Sequence, residues 1–476
     1  MGYLEIFLTI IFCSVFLLLL IPKNSLSRLP RNWPFIKLMP TMYLKSHKLY
    51  DKMTQVLAEN NGTILFKTSW FTNLDILRGS ELRKAFDFLG EAIFIKDLDE
   101  WREDKKFTHS FYKENQFHKS TPKIIHHTLE KGPIPVLDHI SQQNQALDLQ
   151  SLFNRYMLDA TCLMATGFDP GSLRVRFPES PLLEAMDNMA EAVFFRHILP
   201  EKVWKLQRKG KENVRSLLTL NHILADYVSK KQKPATKNQQ TEDFDVLKFY
   251  LSGSDIKGSS KKHTEETFLA ENKMTLLFAG RDTSAALLTW FFYLISTNPL
   301  VKTKILQEIS QNFPPEKRLF SKVEELSKLI YLHCALIDSL SLFPTAPVII
   351  RDPTEEDWLP SGHKVDHKTK LILCSYSVGR TSAIWGKNWG EFKPERWLSD
   401  KGGMKHVSSG SFLAFGSGPW ACPGRELAFV RMKAVAATIL HNFGVRVSEG
   451  QRMSPSLSAL LAMKRGLKAT VSCTWM

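Results

Sequence analysis

Apolar positions along the chain fall into distinct patterns, each predicting a different kind of element. Residues 6–21 (IFLTIIFCSVFLLLLI) are almost wholly apolar, slightly short of a bilayer span, with flanks that can supply the remainder. No basic stretch precedes this run and no small-residue cleavage site follows it, so it reads as a retained anchor rather than a cleaved signal. Lys23, Arg28, Arg31 and Lys37 come next and would keep the bulk of the protein in the cytosol. Leu29-Pro30-Arg31-Asn32-Trp33-Pro34 reads as a stiff hinge, because each proline restricts its own φ and the residue before it. The chain thus divides into an anchor (1–22), a hinge (23–34) and a single domain (35–476) with no internal repeat.

Within that domain, alternation around Ile64-Leu65-Phe66 and Leu74-Asp75-Ile76-Leu77 predicts a small hairpin, and helical periodicity dominates from Leu149 to Val228. Polar tracts at 230–240 and 252–263 predict surface loops. Thr264 can then cap a helix whose first turn carries Glu265 and Glu266 and whose pattern continues to Thr297, stopped by Asn298-Pro299. A helix of that length is a rod of about 50 Å. Met274, Leu276, Leu277 and Phe278, and later Leu287, Leu288, Trp290, Phe291 and Phe292, make most of its faces apolar, so it should cross the core of a large domain. Its midpoint changes character at Ala279-Gly280-Arg281-Asp282-Thr283-Ser284. Glycine weakens a helix and polar groups at such depth are costly, so this segment marks either a functional site or a close approach to a neighbour.

Composition narrows the classes. A hydrophobic fraction of 43% with 31 Phe over 476 residues provides for a large core. The formal charge of +15 calls for an electrostatic partner, whether nucleic acid, anionic membrane or acidic protein. No zinc-type spacing and no basic recognition helix supports the first of these. The six cysteines are scattered and form no CxxC pair, which argues against structural zinc and a disulfide scaffold and fits a reducing compartment. The sequon at Asn61 would then go unused. Cys422 stands apart. It lies in the Gly/Pro-rich loop 415–424, FGSGPWACPG, immediately before a helical stretch. Such a loop can bring amides close to a sulfur, and the helix start would lower the thiol's pKa. The cysteine is either an inert loop residue or a thiolate ligand.

Taken together, these features resemble the cytochrome P450 superfamily of haem-thiolate monooxygenases. Phe415, Gly418, Cys422 and Gly424 match its cysteine signature, with Trp420 in place of an arginine; Ala279, Gly280, Asp282, Thr283 and Ser284 match its oxygen-activation motif, and Pro394-Glu395-Arg396-Trp397 a further segment. Stretches such as Thr166-Gly167-Phe168-Asp169-Pro170-Gly171-Ser172-Leu173 are similar to the plant branch of fatty-acid and alkane hydroxylases, family 96 in particular, which some alkaloid phenol-coupling enzymes also resemble.

The resemblance implies a mainly α fold with small β-sheets, the long helix 264–297 over a haem b and the cysteine loop 415–424 beneath it. Cys422 would be the axial ligand, framed by Phe415, Gly418 and Gly424. Ala279 and Gly280 would leave room for dioxygen, Asp282 and Thr283 would guide protons, and Trp101, Lys105 and Arg351 would meet the propionates. Leu276, Phe278, Thr345, Ala346, Val348 and Ile349 would face a small apolar or phenolic substrate. Implied partners are NADPH-cytochrome P450 reductase and the endoplasmic reticulum membrane, entered by a single-pass anchor, with the domain cytosolic and no nucleic acid. The chain departs from the pattern where Glu-x-x-Arg should fall: Asp338-Ser339-Leu340-Ser341 leaves Asp338 to pair with Arg396 as the structural brace. Ser341, Trp420 and Lys105 each stand where an arginine is usual, which predicts weaker haem retention. The expected function is hydroxylation of a fatty acid or alkane. The alternatives are intramolecular phenol coupling and a non-catalytic paralogue.

Overall fold

The computed structural model describes residues 49–63, 86–198, 204–232, 245–249 and 265–474, with isolated gaps within those spans. The expected anchor, hinge and hairpin, and most of both polar tracts, lie outside the described residues.

The architecture is mainly α. In chain order the principal helices are α1 (Leu49–Glu59), α2 (Leu98–Lys113), α3 (Asn115–Lys131), α4 (Pro133–Gln143), α5 (Leu149–Thr166), α6 (Pro181–Ile198), α7 (Arg208–Gln232), α8 (Glu265–Thr297), α9 (Pro299–Asn312), α10 (Ile330–Leu342) and α11 (Arg425–Asn442). Helix α7 runs three residues into the tract expected to be loop. Strands β1 (Ala146–Asp148), β6 (Phe443–Val447) and β7 (Lys468–Cys473) form an antiparallel sheet in the order β1-β7-β6, with Ala146 opposite Thr470 and Val445 opposite Val471. β2 (Ile349–Arg351) pairs with β5 (Leu371–Leu373), and β3 (Asp357–Trp358) with β4 (Lys364–Val365).

Helix α8 organises the core. Its backbone is continuous through Ala279–Ser284, so the expected interruption is one of side-chain character and not of helical hydrogen bonding. It ends at Thr297 as predicted: Asn298, held out of the α region by the following proline, lets α9 start at Pro299 with the axis turned by 109°. The second half of α8 is buried on nearly every side against α5, α10 and α11, with Phe292 facing Phe153 at 5.2 Å between ring centroids. Trp290 stacks on Phe343 at 3.9 Å and donates its indole N–H to the Leu461 carbonyl at 2.6 Å, so its one polar atom is satisfied at depth. The first half is covered by α6 and α7, whose Leu182, Met186, Met189, Leu220 and Leu224 pack with Met274, Leu277 and Leu158.

Helix α5 is the main partner of α8. Asp148 caps it, accepting from the Gln150 amide at 3.0 Å, and Gly167 ends it with a φ of 76°. No single described helix is long and apolar enough to cross a membrane. The described cysteines Cys162, Cys334, Cys374, Cys422 and Cys473 are all free thiols.

Candidate active site

The cysteine loop is shaped by its own backbone. Gly416 and Gly418 have φ values of 72° and 63°, left-handed conformations that side chains disfavour. These turns bring the Cys422 amide onto the Phe415 carbonyl at 2.8 Å. α11 starts at Arg425, as expected, with Gly424 before it. The Gly424 N–H points at the Cys422 thiol, and Lys105 and Arg425 contribute nearby positive charge. These effects lower the thiol's proton affinity, but desolvation is larger and the net shift is upward. The lowered pKa expected from the helix dipole is therefore corrected: burial outweighs it. Cys422 is nonetheless exposed.

Side chains tie the loop to the core. Phe415 meets Phe429 of α11 at 5.2 Å, and Phe412 meets Trp397 edge-on at 5.2 Å. Trp397 in turn donates to Asp338 Oδ1 at 2.8 Å, and Arg396 Nε lies 2.9 Å from the same oxygen. The Lys393 amide donates to Asp338 Oδ2 at 2.5 Å. The expected Asp338–Arg396 pair is thus present with an indole N–H and a main-chain amide added. Arg396 is also held by the carbonyls of Glu391 (2.6 Å) and Asn388 (3.1 Å). Ser341 is buried and adds no charge to this network.

Trp420 occupies the flank where a loop arginine was expected. Its ring lies 3.8 Å from that of Trp101 on α2, and the guanidinium of Arg351 on β2 sits 5.8 Å from its centroid. Lys105, one turn after Trp101, donates to the Pro419 carbonyl and, at 3.4 Å, to that of Ala421. Trp101, Lys105, Arg351 and Trp420 therefore converge at one edge of the loop, and two of their roles differ from expectation. Lys105 braces the loop's own carbonyls, and Trp420 supplies packing in place of charge.

On α8, Thr283 donates its hydroxyl to the Ala279 carbonyl at 2.8 Å, which leaves the oxygen's lone pairs to accept. Asp282 is largely but not fully covered, with 12% of its side chain exposed, and desolvation lifts its pKa to about 6 against the opposing pull of Arg281. Gly280 corrects the expectation of open space. A Cβ at this position would lie 2.9 Å from Thr161 Cγ2 on α5, so the missing side chain lets the two helices approach.

Residues expected to face substrate do not form one group. Leu276 packs against the cluster that holds Phe111, Phe117 and Ile124, whereas Phe278 packs with Phe88, at 5.0 Å. Two positions apart on a helix, they point about 200° apart. Thr345 and Ala346 use their carbonyls to accept from the Leu461 amide and the Ser375 hydroxyl; Val348 packs near Tyr376 and Leu461, and Ile349 pairs with Leu373 in the sheet.

Other charged residues at the site went unrecognised in the sequence. Arg281, fully buried, binds Asp187 of α6 and lies 2.9 Å from Asp282. Arg431 of α11, also buried, donates to Thr161 Oγ1 at 2.7 Å and to the Met157 carbonyl at 3.1 Å. Arg281 sits inside the recognised motif. Nothing in the linear pattern pairs it with a residue on α6, and Arg431 looks like an ordinary polar position of α11.

These residues fit a haem-thiolate group. The thiol is accessible with an amide directed at it, and Arg351 stands at one edge for a carboxylate. The family model for cytochrome P450 matches residues 77–471. The chain is 35% identical to alkane hydroxylase MAH1 of Arabidopsis thaliana over 99% of each chain. It is 31% identical to noroxomaritidine synthase of Narcissus aff. pseudonarcissus MK-2014, covering 98% of this chain and 96% of that one. A crystal structure of a cytochrome P450, CYP102L1, superposes with a TM-score of 0.72 at 18% identity, covering 90% of this chain and 98% of that one. The fold, the cysteine loop and these matches agree, and this chain is a member of the plant cytochrome P450 family of oxidoreductases.

Proposed function

We propose that the protein is a membrane-anchored monooxygenase that hydroxylates an apolar chain, a fatty acid or alkane, using dioxygen and electrons from NADPH-cytochrome P450 reductase. The observation that carries this reading is likeness to an alkane hydroxylase over essentially the whole chain. The bound haem would supply dioxygen binding and reduction at iron. Cys422 would hold the iron, its sulfur steadied by the Gly424 N–H, while Phe415 and Gly418 shape the loop around it. Trp101 and Arg351 would meet the propionates, with Lys105 bracing the loop carbonyls beside them. Thr283 and Asp282, with Ala279 and Gly280 beside them on α8, would orient water and pass protons one at a time; a carboxyl group with a pKa of about 6 can both hold and release a proton near neutrality. Of the residues expected to face substrate, Thr345, Ala346, Val348 and Ile349 would line one side, with Leu276 or Phe278, which point about 200° apart, on the other. Exposed Arg102 and Lys106 of α2 and Arg425 at the start of α11 would suit an acidic reductase face, and the run at residues 6–21 would anchor the chain in the endoplasmic reticulum membrane.

A second reading, oxidative coupling within a phenolic amine, draws on the likeness to noroxomaritidine synthase. It would use the same iron site but join two carbon centres instead of inserting oxygen. The deciding experiment is the carbon monoxide difference spectrum of the reduced protein, followed by product analysis with NADPH and reductase. Hydroxylated alkane or fatty acid supports the first reading, and a coupled phenolic product the second. No thiolate-type Soret band after expression with added haem would defeat both and favour a non-catalytic paralogue.

A further inference from the structure

Arg281 is fully enclosed, and its guanidinium is shared between two carboxylates. Nη2 donates to Asp187 Oδ1 on α6, while Nη1 lies 2.9 Å from Asp282 Oδ1 on its own helix. The two contacts differ in kind. The first has hydrogen-bond geometry; the second is close but not so directed, and Nη1 and Nε both lack a hydrogen-bond acceptor. The cation is therefore aligned on Asp187 and only adjacent to Asp282. Asp187 itself is half-exposed, with 54% of its side chain accessible, so α6 lends an outer carboxylate to an inner arginine.

We propose that Asp187 is a positioning residue for proton delivery: by drawing the Arg281 guanidinium toward α6, it keeps Asp282 from being locked into a charge-assisted hydrogen bond. This deepens the reading of Asp282 as a proton carrier and rests on it. A carboxylate bound end-on by a guanidinium holds its charge strongly and takes up a proton poorly. Without Asp187, Arg281 would have one carboxylate left within reach and would turn to it. Loss of the Asp187 charge and gain of the full Arg281 contact would then act in the same direction, making Asp282 more acidic.

The surrounding charges leave this pair in control. Among the described residues, the ionisable groups that act on Asp282 are Arg281 and Asp187. Arg155 of α5 faces Asp187 and Arg281, but its Nη1 is taken by the carbonyls of Ser172 (2.5 Å) and Pro178 (2.8 Å). Arg431 of α11 approaches the helix at Gly280 and is held by Thr161 and Met157. Burial supplies the remaining upward push on Asp282.

The test is an infrared titration of the Asp282 carboxyl band in the full-length ferric protein without turnover, isolated by subtracting the spectrum of Asp282→Asn. Asp187→Asn should lower the proton affinity of Asp282 at least tenfold, whereas Asp187→Glu, which keeps the charge, should stay within about twofold of the parent. With NADPH and reductase, the pH profile of product formed per NADPH consumed should move by the same amount in Asp187→Asn and little in Asp187→Glu. An unchanged midpoint in Asp187→Asn, or equal shifts in the two variants, would overturn the proposal. If the midpoint shifts as expected but Asp282→Asn still couples NADPH to product normally, the proton-carrier reading fails and the charge linkage stands. Asp187 is half-exposed and Asn matches its size, so Asp187→Asn leaves the packing intact and takes away only the charge that faces the buried Arg281.

Discussion

Replacing Gly280 by alanine separates two accounts of the oxygen-activation motif. If the glycine merely left space above the cysteine, an added methyl would face a void, and the better helix former would stabilise α8 by roughly 1 kcal/mol. The geometry predicts the reverse. The new Cβ would lie 2.9 Å from Thr161 Cγ2, 3.1 Å from Thr161 Oγ1 and 3.4 Å from Arg431 Nη1. Thr161 cannot easily turn away, because its Oγ1 accepts from Arg431 Nη2 at 2.7 Å within a buried helix pair. Overpacking of this kind costs about 1–3 kcal/mol, so after the propensity gain Gly280→Ala should be destabilising by about 1 kcal/mol. Thr161→Ser removes the nearest methyl and keeps the acceptor. The double variant should therefore be more stable than the sum of the two single changes, by about 1–2 kcal/mol. Urea unfolding of the four proteins by circular dichroism gives the cycle. A Gly280→Ala protein more stable than the parent, or a cycle with no coupling, would refute the close-packing account.

Two other predictions concern the brace and the edge of the loop. Asp338 is 1% exposed and burial raises its pKa from 3.8 to about 6, so the folded state binds its proton more tightly than the unfolded chain does. Stability contributed by this group should fall as pH rises from 4 to 6, by up to about 3 kcal/mol, and the parent-minus-Asp338→Asn difference in urea stability should show that slope; a flat difference would rule it out. Trp420→Arg restores a cation beside Trp101 and Arg351, and haem transfer to apomyoglobin should slow severalfold. Transfer at the parent rate would show that loop charge does not limit haem retention.

Much of the fold could be read from the chain because local chemistry wrote it there. Residues 264–297 declare a long buried helix through capping, periodicity and the Asn298-Pro299 stop, and the structure ends α8 at Thr297. The cysteine loop is equally legible, since its glycines are demanded by left-handed turns and α11 must start where they end. The Asp338–Arg396 pair followed from motif positions, although Trp397's share in it did not.

What the sequence determined by itself was the set of local elements and the order of the motifs, because periodicity, capping and turn chemistry act over a few residues. Tertiary structure alone decided the meaning of individual side chains, because contact energies depend on what the fold brings opposite. Gly280 is small because of Thr161 on α5, and Trp420 replaces a cation because Trp101 lies 3.8 Å away. Arg281 is controlled by Asp187, ninety-four residues earlier on α6. Even the Cys422 thiol, which its helix start should acidify, is pushed the other way by burial. Desolvation is a property of the assembled core and has no signature in a ten-residue loop.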